Sequence, residues 1–208
     1  MSKCKTQIAR ICPGDPDYQR QIERAGELLR GGQLVAFPTE TVYGLAANAE
    51  RDDALAELRS VKGRPEAKPF AFIICERGEV EQRAGRVPLS ARALMDAFWP
   101  GPLTIVLCGD DGETMGFRMP DHPIALDLIR AAGVRLVAPS ANRSGGAEPK
   151  TGDDVMRELG GDIPLILDGG PVRLGRPSTV TLVSDDSCEV LRAGAIEEDK
   201  IRNVIQEP

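Results

Sequence analysis

Four stretches of this chain hold residue types that core packing does not ask for. Residues 38–44 read Pro-Thr-Glu-Thr-Val-Tyr-Gly and follow a short apolar run at 34–37. Two hydroxyls and a carboxylate there are expected at the end of a strand, where α/β sheets bind ligands. A plain turn, with Thr39, Glu40 and Thr41 serving local backbone, is the alternative. Further on, Lys62, Arg64 and Lys68 crowd three cations into a loop stiffened by Pro65 and Pro69. Arginine grips phosphate as a fork and lysine as a point charge, so the loop reads as an anion cradle. A solvated helix end, where cations suit the dipole, is the plainer reading. Residues 139–146, Pro-Ser-Ala-Asn-Arg-Ser-Gly-Gly, offer hydroxyls, an amide and free backbone N–H groups after a strand. Such a loop can hold phosphate or carboxylate, or simply be a loop. It is not a Walker loop, because G-x-x-x-x-G-K-[ST] is absent. Finally, residues 169–179 and Leu191 to Gly194 combine small residues with isolated arginines. That mix suits close backbone approach to a ligand, or a surface hairpin.

These stretches supply cations and hydroxyls but no nucleophile–histidine pair. His122 is the single histidine, which argues against a Ser/His triad or a histidine-rich zinc site. The five cysteines, Cys4, Cys12, Cys75, Cys108 and Cys188, include no C-x-x-C pair. They are expected to be reduced and mostly buried thiols. The chemistry implied is binding and positioning of an anionic substrate, with electrostatic stabilisation of a phosphate transition state.

Elements must position these groups. Helical spacing predicts helices over 15–30, 52–61, 90–98, 124–132, 153–159 and 196–205. Asp15 or Asp17 is expected to cap the first, and Gly31 and Gly133 to stop the first and fourth. Apolar runs predict strands over 34–37, 70–75, 103–108, 115–118, 136–138, 165–167, 179–183 and 189–191. Interleaved helices and strands make the class α/β with a mixed sheet, and no linker divides residues 1–208, which are read as one domain. The net charge of −6 disfavours non-specific nucleic-acid binding. No signal peptide and no membrane-spanning run is visible, so a cytoplasmic location is expected.

The strings PTETVYGLAANA, KGRPEAKPF, WPGPLTIVL, FRMPDHP, APSANRSGG, DGGP, PSTVTLV and LRAG occur in that order between about Gln33 and Gly194. In this the chain resembles the YrdC family of threonylcarbamoyl-AMP synthases, in its short, single-domain form. The resemblance implies an open, twisted α/β sheet with flanking helices and a concave basic cavity. It also implies an activity: formation of threonylcarbamoyl-AMP and pyrophosphate from L-threonine, bicarbonate and ATP. Thr41, Arg118, the backbone of Ala138, and Ser178 would hold threonine. Arg64, Lys68, Thr114, Ser140, Asn142 and Arg192 would hold ATP, and Lys62 and Arg64 would offset charge on the leaving pyrophosphate. Mg2+ is expected with ATP, with no protein ligand assigned to it. Ile73 stands where many members carry a histidine that touches threonine, Lys68 where many carry asparagine, and Glu148 where a small polar ATP contact is common.

The resemblance further implies that the product passes to a transferase complex that modifies a tRNA adenosine, with tRNA binding by this chain weak or absent. No general base is assigned, and Glu40 is no more than a guess at one. Two rivals are an RNA-binding module using the same cavity and a relative that has lost synthase activity or handles carbamoyl phosphate. Few aromatics among the basic residues weigh against the first. Intact KGR and SAN strings, and a length without room for further domains, weigh against the second.

Overall fold

The computed structural model describes residues 5–63, 69–109, 112–185 and 187–206. Among them ten strands form one open mixed sheet. In chain order the strands are β1 (Gln7–Arg10), β2 (Val35–Phe37), β3 (Gly44–Asn48), β4 (Phe72–Ile73), β5 (Leu103–Cys108), β6 (Thr114–Arg118), β7 (Leu136–Val137), β8 (Leu165–Asp168), β9 (Thr179–Val183) and β10 (Cys188–Arg192). The helices are α1 (Tyr18–Arg30), α2 (Asp52–Lys62), α3 (Gly78–Ala84), α4 (Leu89–Phe98), α5 (Pro123–Ala132), α6 (Gly152–Leu159) and α7 (Glu198–Gln206). The strand order across the sheet is β1-β8-β2-β3-β7-β4-β6-β5-β9-β10. Parallel pairs (β1–β8, β8–β2, β4–β6, β5–β9) mix with antiparallel ones.

Three apolar clusters fix the layers. Helices α1 and α5 bury Ile22, Leu29, Leu128 and Ile129 against Val35, Phe37, Ile73 and Leu136. Helices α2 and α6 bury Leu58, Val155 and Leu159 on the other face of β2, against Ala36. Helices α3, α4 and α7 cover Leu103, Ile105 and Phe117. Strand side chains alternate between faces. The residues beside Ile105 and Phe117 therefore point away from α4, and among them Val106, Gly116, Val180 and Leu182 stay half-buried. This half of the sheet is clad by helices on one face and left open on the other.

The open face carries the functional candidates. Registered partners project to the same side of a sheet. Ile73 pairs with Arg118 across β4 and β6, and Cys108 pairs with Thr114 across β5 and β6. Thr104 pairs with Val180, which pairs with Arg192 on β10. Arg118, Thr114, Thr104 and Arg192 thus share one face.

Several local expectations are corrected. Neither Asp15 nor Asp17 caps α1: the Asp15 carboxylate accepts the Cys12 N–H at 2.7 Å, and Asp17 makes no cap hydrogen bond. The run 70–75 pairs only at Phe72 and Ile73. Strands β1 and β3 and helix α3 appear where the sequence pattern predicts none. Strand β3, Gly-Leu-Ala-Ala-Asn, is buried throughout, so it has no alternation to betray it. The thiols of Cys12, Cys75, Cys108 and Cys188 are free, as expected, but not buried: Cys12 and Cys108 are exposed. Cys4 lies outside the described residues. Gly133 stops α5 in the left-handed conformation at φ 60°.

Candidate active site

The turn after β2 is organised by its hydroxyls. Thr39 Oγ1 donates to the Val42 carbonyl at 2.7 Å. Its single hydrogen is then spent, so the 2.8 Å contact with Thr41 must run from Thr41 Oγ1 to Thr39 Oγ1. Thr41 Oγ1 keeps its lone pairs, and Arg118 Nη2 donates to it at 2.6 Å. The same Nη2 donates to Glu40 Oε1 at 3.0 Å. Thr39, Glu40 and Thr41 are all buried, at 4%, 2% and 0% exposure. Among the described residues Arg118 Nη1 makes no hydrogen bond or ion pair. A buried ion pair therefore fixes the guanidinium through one nitrogen and leaves another for a ligand.

Arg118 lines a small cleft, partly open to solvent, with Phe37, Thr39, Ile73, Ala138 and Ser140 on its other walls. Its walls pair apolar surface with a few polar groups, as ligand sites do. Of the residues expected to hold threonine, Arg118 and Ala138 line the cleft. Thr41 does not: it holds Arg118 from behind. The Ala138 N–H is already given to the Ala71 carbonyl at 3.2 Å. Ile73 places an aliphatic side chain beside Arg118.

Ser178 lies elsewhere on the open face. Its hydroxyl is 2.8 Å from Thr104 Oγ1, and its carbonyl accepts Arg192 Nη2 at 2.8 Å. Arg192 is docked there because β10 breaks register between Val190 and Arg192. Gly194 then passes so close that a Cβ would lie 2.3 Å from the Ser178 carbonyl carbon. Burial pulls the Arg192 guanidinium down from its ordinary range; nearby Glu148 opposes this and Arg118 adds to it. The two arginines and Glu148 thus feel one another across the face. Glu148 Oε2 is buried and has no hydrogen-bond partner among the described residues. Thr114 is exposed and lies four residues before Arg118 on β6, roughly 13 Å along the strand.

The loop 138–150 closes the site. Ser140 Oγ donates to Asn142 Oδ1 at 2.6 Å, and Asn142 Nδ2 donates to the Gly146 carbonyl at 2.9 Å. Lys62 is 3% exposed, and its Nζ donates to the Ser140 and Asn142 carbonyls at 2.5 and 2.7 Å. Lys62 thereby fastens the loop to the end of α2. Arg64 and Lys68 lie outside the described residues.

Further bonds lace the stretches together. Tyr43 Oη donates to Asp168 Oδ1 at 2.8 Å, and burial raises this phenol well above its ordinary range. The N–H groups of Ala141, Leu174 and Val172 reach the Tyr43, Glu40 and Lys150 carbonyls at 2.8, 2.9 and 2.9 Å. Sequence reasoning placed Thr39 in a candidate stretch without giving it a ligand, and missed Thr104 and the Tyr43–Asp168 bond. The close spacing of Thr39, Glu40 and Thr41 was the available signal for Thr39. Glu40 is poorly suited to act as a base, because Oε2 also accepts the Asp121 N–H at 3.2 Å. The described residues contain no group of three His, Cys, Asp or Glu able to hold a metal ion.

The family model Sua5/YciO/YrdC, described as telomere recombination, matches residues 27–194. The threonylcarbamoyl-AMP synthase of Bacillus subtilis is 45% identical over 195 residues, covering 89% of this chain and 56% of the relative. That of Pyrococcus abyssi is 39% identical over 196 residues, covering 90% of this chain and 58% of its own length. The chain thus spans a little over half of these relatives. The crystal structure of P. abyssi Sua5 complexed with L-threonine superposes with a TM-score of 0.90 at 37% identity, covering 97% of this chain and 62% of that one.

Proposed function

The chain belongs to the Sua5/YciO/YrdC family, and from that premise we propose that it is a nucleotidyltransferase making threonylcarbamoyl-AMP from L-threonine, bicarbonate and ATP. The observation that carries the reading is Arg118, held by Glu40 and Thr41 at the wall of a partly open cleft. A guanidinium so fixed is a receptor for a carboxylate. The bound L-threonine of the P. abyssi protein supports threonine as that ligand here. The open face supports the nucleotide assignment: Arg192 and Thr114 flank Arg118, and the Ser140–Asn142 loop borders the same cleft. Arg64 and Lys68 complete the proposed phosphate cradle.

The reaction asks for alignment and charge neutralisation. Threonine's amine and bicarbonate give a carbamate and water. The carbamate oxygen then attacks the α-phosphorus of ATP, forming the new O–P bond as the bond to pyrophosphate breaks. No covalent protein intermediate is needed, in keeping with a site of cations and hydroxyls. Mg2+ would travel with the nucleotide, since this ion is commonly held by one or two carboxylates plus phosphate oxygens. Glu148, with its unpartnered buried oxygen, is the carboxylate on that side able to join it. When bound, the ion would neutralise phosphate charge. Handover of the adenylate to a tRNA-modifying transferase in the cytoplasm completes the proposal, with little tRNA binding by this chain itself. Pyrophosphate release, followed with ATP and bicarbonate present, tests the reading: it is expected to require L-threonine, and release at equal rate without threonine would refute it.

A further inference from the structure

Glu40 is 2% exposed, and every polar atom beyond its backbone N–H is committed. Oε1 accepts Arg118 Nη2 at 3.0 Å, and Oε2 accepts the Asp121 N–H at 3.2 Å. Its carbonyl accepts the Leu174 N–H at 2.9 Å. The residue is thus clamped to the segment leading into α5 and to the loop 169–178. It passes that constraint to Arg118, whose two Nη2 hydrogens go to Glu40 and Thr41. A guanidinium gripped this way cannot swing about its stem without breaking a bond.

We propose that Glu40 is a positioning residue: it holds Arg118 in the orientation that receives the amino acid's carboxylate, an inference that rests on the threonine reading above. Three other roles for a buried carboxylate make different demands. A general base needs an oxygen facing the substrate amine, and both oxygens already accept N–H groups. A mere counter-ion needs negative charge nearby, whatever its reach. A packing element needs only the right volume. Positioning needs an acceptor at the right distance from Arg118.

Glu40→Gln and Glu40→Asp separate positioning from a counter-ion, and Glu40→Met, which keeps the volume without an acceptor, separates it from packing. Glu40→Gln keeps one acceptor oxygen for Arg118 at the same reach but removes the charge and turns its NH2 toward the Asp121 N–H. Glu40→Asp keeps the charge but draws it back by about 1.5 Å, one carbon–carbon bond. The dissociation constant for L-threonine is read by titration calorimetry on the intact protein, with thermal unfolding alongside. Positioning predicts about a tenfold or greater loss of threonine affinity in Glu40→Asp, as for a lost charge-assisted hydrogen bond, and a change within about threefold in Glu40→Gln. Equal affinities in Glu40→Asp, Glu40→Gln and the wild type overturn the proposal alone, as does a loss confined to Glu40→Gln, which marks a counter-ion. Wild-type affinity in Glu40→Met overturns the proposal in favour of packing, and if Glu40→Asp does not fold Glu40→Met decides, a tenfold loss supporting positioning. Wild-type protein that binds no threonine overturns the underlying reading, and the proposal with it.

Discussion

Arg118 concentrates the chemistry at the residue scale. Nη2 is bound by Glu40 and Thr41, which leaves Nη1 for a ligand. A lysine ammonium cannot reproduce that division of labour, because it is a single point charge. Arg118→Lys is therefore expected to weaken L-threonine binding by about 10- to 100-fold, the worth of a charge-assisted hydrogen bond of roughly 1.5–3 kcal/mol. Calorimetric titration measures this, and unchanged affinity contradicts it. His122 gives a second prediction. Burial lowers its pKa below 6.5, while Glu40 and Asp121 oppose the shift. Between its folded and unfolded pKa values the unfolded chain binds a proton that the folded chain refuses. Stability should thus be full above about pH 6.5 and decline as the pH falls below it. His122→Gln should flatten that slope in melting temperatures taken between about pH 7.5 and 5.5, above the range where carboxylates titrate. A slope identical in both proteins would exclude His122 as its source. Residue types were legible in the sequence: Ser140 and Asn142 stood out by composition, while Arg118 was pointed to only by the family resemblance. Their partners were not. That Thr41 faces Arg118 rather than the cleft depends on which way a turn folds its hydroxyls, and spacing does not encode this.

At the scale of elements, the β9 and β10 ends show how backbone shape sets a side chain's place. Arg192 reaches the Ser178 carbonyl because β10 shifts register before it and Gly194 lets the chain turn back against Ser178. A methyl group at Gly194 would meet backbone, which cannot yield as a flexible side chain can. Gly194→Ala is expected to cost roughly 1–3 kcal/mol, as other overpacked sites do. For a chain of this size that lowers the melting temperature by about 2–12 °C. Gly78→Ala, where a Cβ meets nothing within 4 Å, should show no fall. Parallel melting curves decide, and an undiminished Gly194→Ala would contradict the packing argument. Long periodic segments such as α1 and α5, and apolar β5, could be read from the sequence within a few residues. Strand β3 could not, because alanines buried on both faces carry no period. The two-residue strands β4 and β7 are fixed by their neighbours, since Phe72 and Ile73 pair with β6 on one side and β7 on the other.

On the scale of the whole molecule, an uneven cladding of helices makes the site. Helices cover both faces of β2 but only one face of β5, β6 and β9. Arg118 sits where the cover ends, with Thr104, Thr114 and Arg192 beyond it. The class of fold was legible from interleaved elements, and the motif order pointed to the family. The open face was not, because it depends on strand order, and β4 and β6, neighbours in the sheet, are separated in the chain by two helices and a strand. The proposed activity requires that amino-acid cleft and nucleotide face act on one reaction. The direct measurement is incubation with ATP, L-threonine and ¹³C-bicarbonate, followed by mass spectrometry of the quenched mixture. The expected result is threonylcarbamoyl-adenylate carrying the ¹³C label, formed in step with pyrophosphate and absent when threonine is omitted. ATP consumption that ignores threonine, with no labelled adenylate, would contradict it.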